Sequence, residues 1–268
     1  MVLQDKFNRL KRIVLKYNSV VVAFSGGQDS ALLLKLCALV LPLDNILAVT
    51  AISATYPGSE LCKAKILAKQ IGVKLKVIRT DELNNKNFTE NSVRRCYFCK
   101  QELFLKLISI AKGNKLNYVL EASNVSDKKD YRPGNIAKKK LGIKSPLLEA
   151  GFSKQDIRKL SKKLGLSSWN KPSLACLASR VPYGTKITAR LLKRIDRSEE
   201  FLNTLGFRQV RLRHYNGLCR IEVKKDDILR LLNKRQTIVN KLKEFGYNYI
   251  TVDLEGYRTG SLNEVINK

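Results

Sequence analysis

Along the first part of the chain, short apolar runs alternate with longer stretches of helical spacing. Ser19 to Phe24 contains Val20-Val21-Val22 with no polar interruption, the pattern of a strand buried on both faces. A leucine-rich helical stretch follows from about Ser30 to Leu41, and Ile46 to Ile52 predicts the next strand. Ser59 opens a helix through Lys69, closed by Gly72. Lys74 to Ile78 alternates lysine with apolar residues, as a half-exposed strand does. Glu102 to Ala111 reads as a helix, Tyr118 to Ala122 as a strand and Ser145 to Leu148 as a shorter strand. Ser153 with Asp156 resembles a capping arrangement for a helix running to Leu164. This alternation predicts an α/β fold with a parallel, doubly wound sheet.

The pattern changes near Ser167 to Pro172, a loop-like stretch that holds the only tryptophan, Trp169. Beyond it the chain predicts a helix from about Thr188 to Leu205 and two strands, Arg208 to His214 and Arg220 to Val223, with a glycine between them. A long helix from about Asp226 to Phe245 and a strand from Tyr249 to Leu254 complete it. The expected division is a nucleotide-binding domain over 1–168 and a smaller α+β domain for substrate and oligomerisation over 169–268.

At 268 residues and 44% apolar, the chain can bury a sizeable core. Met1 to Arg12 is polar and basic, unlike a signal peptide, and no apolar run approaches the roughly 20 residues of a membrane span. A soluble, cytoplasmic protein without membrane partners is expected. Thiols stay reduced in that compartment, so the six cysteines raise a question of metal binding or catalysis, not of disulfides. The net charge of +28 attracts polyanions, nucleic acid first, although a general lysine bias gives the same number. The basic residues fall in small groups such as Lys138 to Lys140, not in a disordered tail.

Ser25-Gly26-Gly27-Gln28-Asp29-Ser30 lies between the first strand and its helix. The glycines allow a tight turn and bring N–H groups close to a phosphate, the helix N-terminus adds positive potential, and Ser25 and Ser30 offer hydroxyls. The Gly-Lys-Ser/Thr ending of a Walker A loop is missing. The hexapeptide resembles instead the SGGxDS loop of the PP-loop ATP pyrophosphatases. That resemblance implies a bound ATP whose α-phosphorus is attacked while pyrophosphate leaves, with Asp29 helping to hold Mg2+.

Further segments extend the resemblance over nearly the whole chain. Ser123-Asn124-Val125-Ser126-Asp127, Asp130-Tyr131-Arg132-Pro133-Gly134, Ser145 to Ala150 and above all Ala175-Cys176-Leu177-Ala178-Ser179-Arg180-Val181-Pro182-Tyr183-Gly184 are similar to the LarE family. So are Val210 to His214 and Asp253 to Gly260. The resemblance implies a sulfur insertase of nickel-pincer cofactor synthesis, which adenylates a carboxylate of a pyridinium biscarboxylate mononucleotide and replaces oxygen with sulfur. Two family routes are known. One sacrifices the sulfur of a single cysteine, here Cys176; the other holds a [4Fe-4S] cluster on three cysteines and delivers a sulfide bound to it.

Cys96-Tyr97-Phe98-Cys99 is a C-x-x-C, and Cys176 matches the family cysteine, so Cys96, Cys99 and Cys176 are the expected cluster ligands. Zinc would need a fourth ligand, and a dithiol redox pair is the other reading of the spacing. Arg94 and Arg95 beside the pair favour thiolates. Cys37 and Cys62 read as packing residues within helices. Ser179 and Arg180 are expected substrate contacts, and Arg211 and Arg213 alternate along a strand so that both can grip one phosphate, as the corresponding family arginines do. Glu200 matches an acidic family position, and the sole histidine, His214, reads as structural. The expected partners are a small nucleotide substrate, sulfide or another sulfur donor, and further copies of the chain in a homo-oligomer. A tRNA-thiolating enzyme is the alternative that the +28 charge keeps open.

Overall fold

The three consecutive valines set the layering. In β1 (Val20–Ala23) successive side chains point to opposite faces, so Val20 and Val22 enter one apolar cluster and Val21 another, all fully buried. In this computed structural model, which describes residues 2–129, 133–172 and 175–264, β1 is flanked by two parallel neighbours. They are β2 (Ile46–Ile52), paired through Val20↔Ile46, and β4 (Tyr118–Leu120), paired through Val20↔Tyr118. The outer strand β3 (Leu75–Arg79) pairs in parallel with β2, giving the order β3-β2-β1-β4.

Helices cover both faces. Val20 and Val22 pack with α1 (Leu3–Leu15), α2 (Gln28–Val40), α3 (Glu60–Ile71) and α8 (Lys154–Lys163). Val21 packs with α5 (Arg95–Gly113) and α6 (Gly134–Lys140). Each such buried aliphatic side chain contributes roughly 1.5–3 kcal/mol. The fold is the α/β, doubly wound arrangement of the PP-loop type, and β1 feeds its loop into the crevice outside the strand ends where the order reverses.

Three local expectations fail. Ser145 to Leu148 is not a strand; Lys144 alone bridges Leu120, and Pro146 opens the one-turn helix α7 (Pro146–Glu149). Proline lacks the N–H that a ladder needs, while its fixed φ suits a first helical position. The long helix predicted over 226–245 is broken at Lys234 (φ −100°, ψ 12°) into α10 (Ile228–Asn233) and α11 (Arg235–Glu244). Cys62 is exposed on α3 and packs into no core, whereas Cys37 is fully buried.

The chain forms two compact units, one of residues 1–53, 59–82 and 94–174, the other of 54–58, 83–93 and 175–268. The second holds the single turn α4 (Lys86–Thr89), α9 (Ala189–Thr204) and a sheet of β5 (Val210–Tyr215), β6 (Leu218–Val223) and β7 (Tyr249–Val252). The first two strands form an antiparallel hairpin through Asn216-Gly217, both at positive φ (39° and 89°), the geometry that a tight Asn-Gly turn supplies. β6 and β7 run parallel, joined through α10 and α11. Among the described residues no helix is long and apolar enough to cross a membrane.

Candidate active site

The end of β1 is fixed before the loop begins. Phe24 donates its N–H to Val49 O (2.9 Å), and Thr50 Oγ1 donates to Phe24 O (2.6 Å). The turn that follows is tied by its own hydroxyls. Ser25 N donates to Ser30 Oγ (3.3 Å), Gly27 N to Ser25 Oγ (3.3 Å) and Ser30 Oγ to Gly27 O (3.2 Å). Gly26 takes φ +69°, and a Cβ there would stand 2.9 Å from Ala64 Cβ, so the turn lies hard against α3. Gly27 caps α2 without a side-chain hydrogen bond, and a helix N-terminus at the end of such a turn suits an anion.

Two lysines reach this loop from distant parts of the first unit. Lys154 Nζ lies 2.5 Å from Asp29 Oδ2 in the first turn of α2. Lys171 donates to Gly26 O (3.0 Å) and pairs with the buried Glu60 (2.5 Å). Burial opposes the Glu60 charge, but Lys171 and Lys63 overcome it and hold the carboxyl below its ordinary range. The Gln28 side-chain amide donates to the carbonyl of Trp169, which closes the loop from the other side.

Beyond β4, the Ser123 to Asp127 motif forms a turn capped by its own side chains. Asn124 N donates to Asp127 Oδ2 and Ser126 N to Asn124 Oδ1, both at 2.9 Å. The buried Glu121 beside it pairs with Lys138 (3.1 Å) and accepts from Ser123 Oγ (2.8 Å) and from Ser145 Oγ. Burial would raise this carboxyl; Lys138 and the Ser145 hydroxyl keep it below the ordinary value. Of the following motif, Asp130, Tyr131 and Arg132 lie outside the described residues.

In the second unit, Cys176 is exposed at the start of the one-turn segment Leu177–Arg180. That turn is built around Arg180, which is 2% exposed. Its guanidinium makes two bonds to Glu199 (2.9 and 2.8 Å) and donates to Ala175 O (2.8 Å), Cys176 O (3.0 Å) and Ser179 Oγ (3.0 Å). Arg180 therefore shapes the loop that presents Cys176; its own donors are already engaged. Arg213 is likewise held by Glu222 (2.9 and 2.7 Å), Ser179 O (2.8 Å) and Ser261 Oγ (2.8 Å). Arg211 shares its strand face, donates to Val210 O (2.8 Å) and lies over the Tyr257 ring at 5.5 Å. Burial and then the neighbouring Arg180 push its pKa down, with Glu199 and Tyr257 opposing them. His214 is buried beside Tyr247, and burial followed by Arg194 lowers its pKa, as expected of a packed, neutral imidazole.

All six cysteines are thiols. Cys37 and Cys219 are buried, which pushes each up to about 12 and leaves both inert. Cys96 and Cys99 sit one turn apart at the start of α5, where Cys99 Sγ donates to Glu82 Oε1 (3.6 Å), which also accepts from Thr80 Oγ1 (3.0 Å). Among the described residues, no group of three or more His, Cys, Asp or Glu side chains is placed to hold a metal ion. The C-x-x-C thus supplies two adjacent thiols, and Cys176 belongs to the other unit.

Sequence reasoning passed over Glu199 in favour of Glu200. The signal was present: Glu199 falls on the buried stripe Leu192, Ile195, Leu202 of α9, where a carboxylate must find a cation, while Glu200 is exposed. Lys154, Lys171, Glu60 and Glu222 carried no comparable local signal.

Residues 2–144, more than half of the chain, match the family model described as NAD synthase. The chain is 37% identical over 249 residues to the pyridinium-3,5-bisthiocarboxylic acid mononucleotide synthase of Lactiplantibacillus plantarum, covering 93% of this chain and 90% of that protein. An uncharacterized protein of Synechocystis sp. is 40% identical over 268 residues, covering 99% of this chain and all of its own length. Another, from Methanocaldococcus jannaschii, is 31% identical over 264 residues and is likewise covered in full.

Proposed function

The chain belongs to the LarE family of the PP-loop ATP pyrophosphatases, and from that premise we propose that it adenylates a carboxylate of a pyridinium biscarboxylate mononucleotide and replaces an oxygen with sulfur. The family makes it an ATP-dependent, sulfur-transferring enzyme. One observation above all supports the adenylation step: the Ser25 to Ser30 loop pairs an α-helix N-terminus without a side-chain cap with an Asp29 carboxylate already matched to a cation, Lys154. The loop amides suit the β- and γ-phosphates, and Asp29, which already holds an ammonium, suits Mg2+. A substrate carboxylate oxygen then attacks the α-phosphorus, the bond to the pyrophosphate oxygen breaks, and pyrophosphate leaves with that electron pair. The protein contributes position and charge neutralisation at this step. The acyl adenylate next takes sulfur at its carbonyl carbon and expels AMP.

For the substrate phosphate, Arg211 is the proposed contact, with Arg180 and Arg213 fixing the surrounding backbone and adding positive potential. For the sulfur source, Cys96, Cys99 and Cys176 are the thiols that would ligate a [4Fe-4S] cluster. When bound, such a cluster supplies an iron with an open position for sulfide. The spacing of Cys96 and Cys99 on one helical turn supports this reading over sacrificial donation from Cys176 alone.

Phosphorus NMR of the reaction mixture tests the activation step. AMP and pyrophosphate are expected, and Asp29→Ala should abolish their formation while leaving the circular dichroism spectrum unchanged. ADP and phosphate as products would overturn the reading. Intact mass after turnover separates the sulfur sources. An unchanged chain with bound iron supports the cluster, and a chain lighter by the elements of hydrogen sulfide refutes it.

A further inference from the structure

We propose that the outward faces of α1 and α8 bind RNA by its phosphates, with Trp169 stacking on an unpaired base; the proposal stands apart from the sulfur-transfer reading. Its starting point is a surplus of cations on two neighbouring helices. With its C-cap Lys16, α1 holds five basic residues against the single acid Asp5, and α8 holds five against Asp156. Asp156 is already spent on the capping box of α8 and on Lys6 at 2.7 Å, the ion pair that sets the two helices side by side. Arg9, Arg12 and Lys16 form an exposed row along α1. Arg158, Lys159, Lys162 and Lys163 form a second along α8. Among the described residues neither row makes an ion pair.

Like charges one turn apart repel and weaken a helix, so such rows have a cost. A lysine-rich composition does not impose it. On α3, α5 and α11 a lysine lies three or four residues from a glutamate and pairs with it. The rows on α1 and α8 lack those glutamates, and a polyanion is the partner that turns their repulsion into attraction. A membrane surface fits less well, because an interfacial helix needs an apolar face to insert. Here Leu10 and Val14 of α1 and Ile157 and Leu160 of α8 lie in one core cluster, and α8 exposes no large apolar side chain. Trp169 narrows the polyanion to one with unpaired bases. It is half-buried after the end of α8, and the Lys162 ammonium stands over its ring at 5.0 Å. A base can take that place on the indole while the ammonium moves to the adjoining phosphate. Folded RNA presents unpaired bases beside its phosphates, whereas a DNA duplex keeps its bases stacked.

Fluorescence anisotropy of the full chain with a labelled single-stranded RNA of about 20 nucleotides, over a range of salt, tests this. The triple variant Arg158→Gln, Lys159→Gln, Lys163→Gln should lose about tenfold or more in affinity, and its slope of log affinity against log salt should fall by about 2, at about 0.7 per phosphate. Its unfolding temperature should be no lower than wild type, since glutamine keeps the helix propensity and the repulsion is gone. A control that removes the same charge from exposed lysines of the second unit, Lys224→Gln, Lys234→Gln, Lys243→Gln, should lose less than about threefold. Trp169→Leu should lose about fivefold or more with an unchanged salt slope, because it removes stacking and no charge. Equal losses in the two triple variants would reduce the effect to net charge and overturn the proposal. So would wild-type affinity in Trp169→Leu, or a DNA duplex of the same length bound as tightly as the RNA. Phosphatidylserine vesicles that bind as tightly as the RNA, and lose binding in the α8 variant, would make this a membrane face and overturn it too.

Discussion

Replacing Gly26 with alanine should strain the phosphate loop in two separable ways. The residue sits at φ +69°, a left-handed conformation that costs a non-glycine residue about 1–2 kcal/mol. The new methyl would also stand 2.9 Å from Ala64 Cβ and 3.0 Å from Ala64 Cα, well inside ordinary contact. Overpacking of that kind costs about 1–3 kcal/mol, because the Ala64 backbone belongs to α3 and cannot retreat alone. Lower entropy of the unfolded chain returns about 0.4–1 kcal/mol, leaving a net loss of about 2–4 kcal/mol. Urea unfolding followed by Trp169 fluorescence measures it, since the only tryptophan lies in the same unit as the loop. The control is Ala64→Gly, which removes the obstructing methyl at a helix cost of about 1 kcal/mol. In the double variant the contact with the Ala64 Cβ is relieved, while the close approach to the Ala64 Cα and the conformational loss remain, giving a coupling energy of about 1 kcal/mol. A Gly26→Ala chain within about 0.5 kcal/mol of wild type, or strictly additive losses, would refute the argument that α3 presses on this turn.

Glu199→Gln should destabilise the second unit by about 3–5 kcal/mol, because it leaves the buried Arg180 guanidinium without its charge partner; equilibrium denaturation reads this, and a loss below about 1 kcal/mol would show the pair to be expendable. The Asp156 carboxyl, which burial would raise, is brought down to about 2 by Lys6 and Ser153. A carboxyl depressed in the folded state contributes stability above its unfolded value of about 3.9, and that contribution is lost as pH falls through the folded value. The stability gap between wild type and Asp156→Asn should therefore be on the order of 1 kcal/mol at pH 6 and shrink toward pH 2, and a gap independent of pH would exclude the ion pair as its source.

What the residues determine locally, the sequence discloses. Val20-Val21-Val22 must place side chains on both faces of its sheet, and Ser25 to Ser30 must turn tightly because glycine occupies the left-handed position. Ser153 and Asp156 cap a helix start, and Cys96 and Cys99 share one helical turn by spacing alone. Pro146 is a local signal of the same rank, and its missing N–H outweighs the apolar residues around it, which by themselves suggest a strand. The charged partners are a different matter. Lys154 meets Asp29 from 125 residues away, Lys171 meets Gly26 from 145, and Arg213 meets Ser261 from 48. No period or spacing encodes such meetings, because which charge neutralises which depends on the elements that packing sets side by side. The same holds for Arg180 and Arg213, whose residue types say nothing of their burial. Only the fold shows it: a guanidinium removed from water must satisfy donors inside the protein, and Glu199 and Glu222 are the carboxylates that the fold brings within reach.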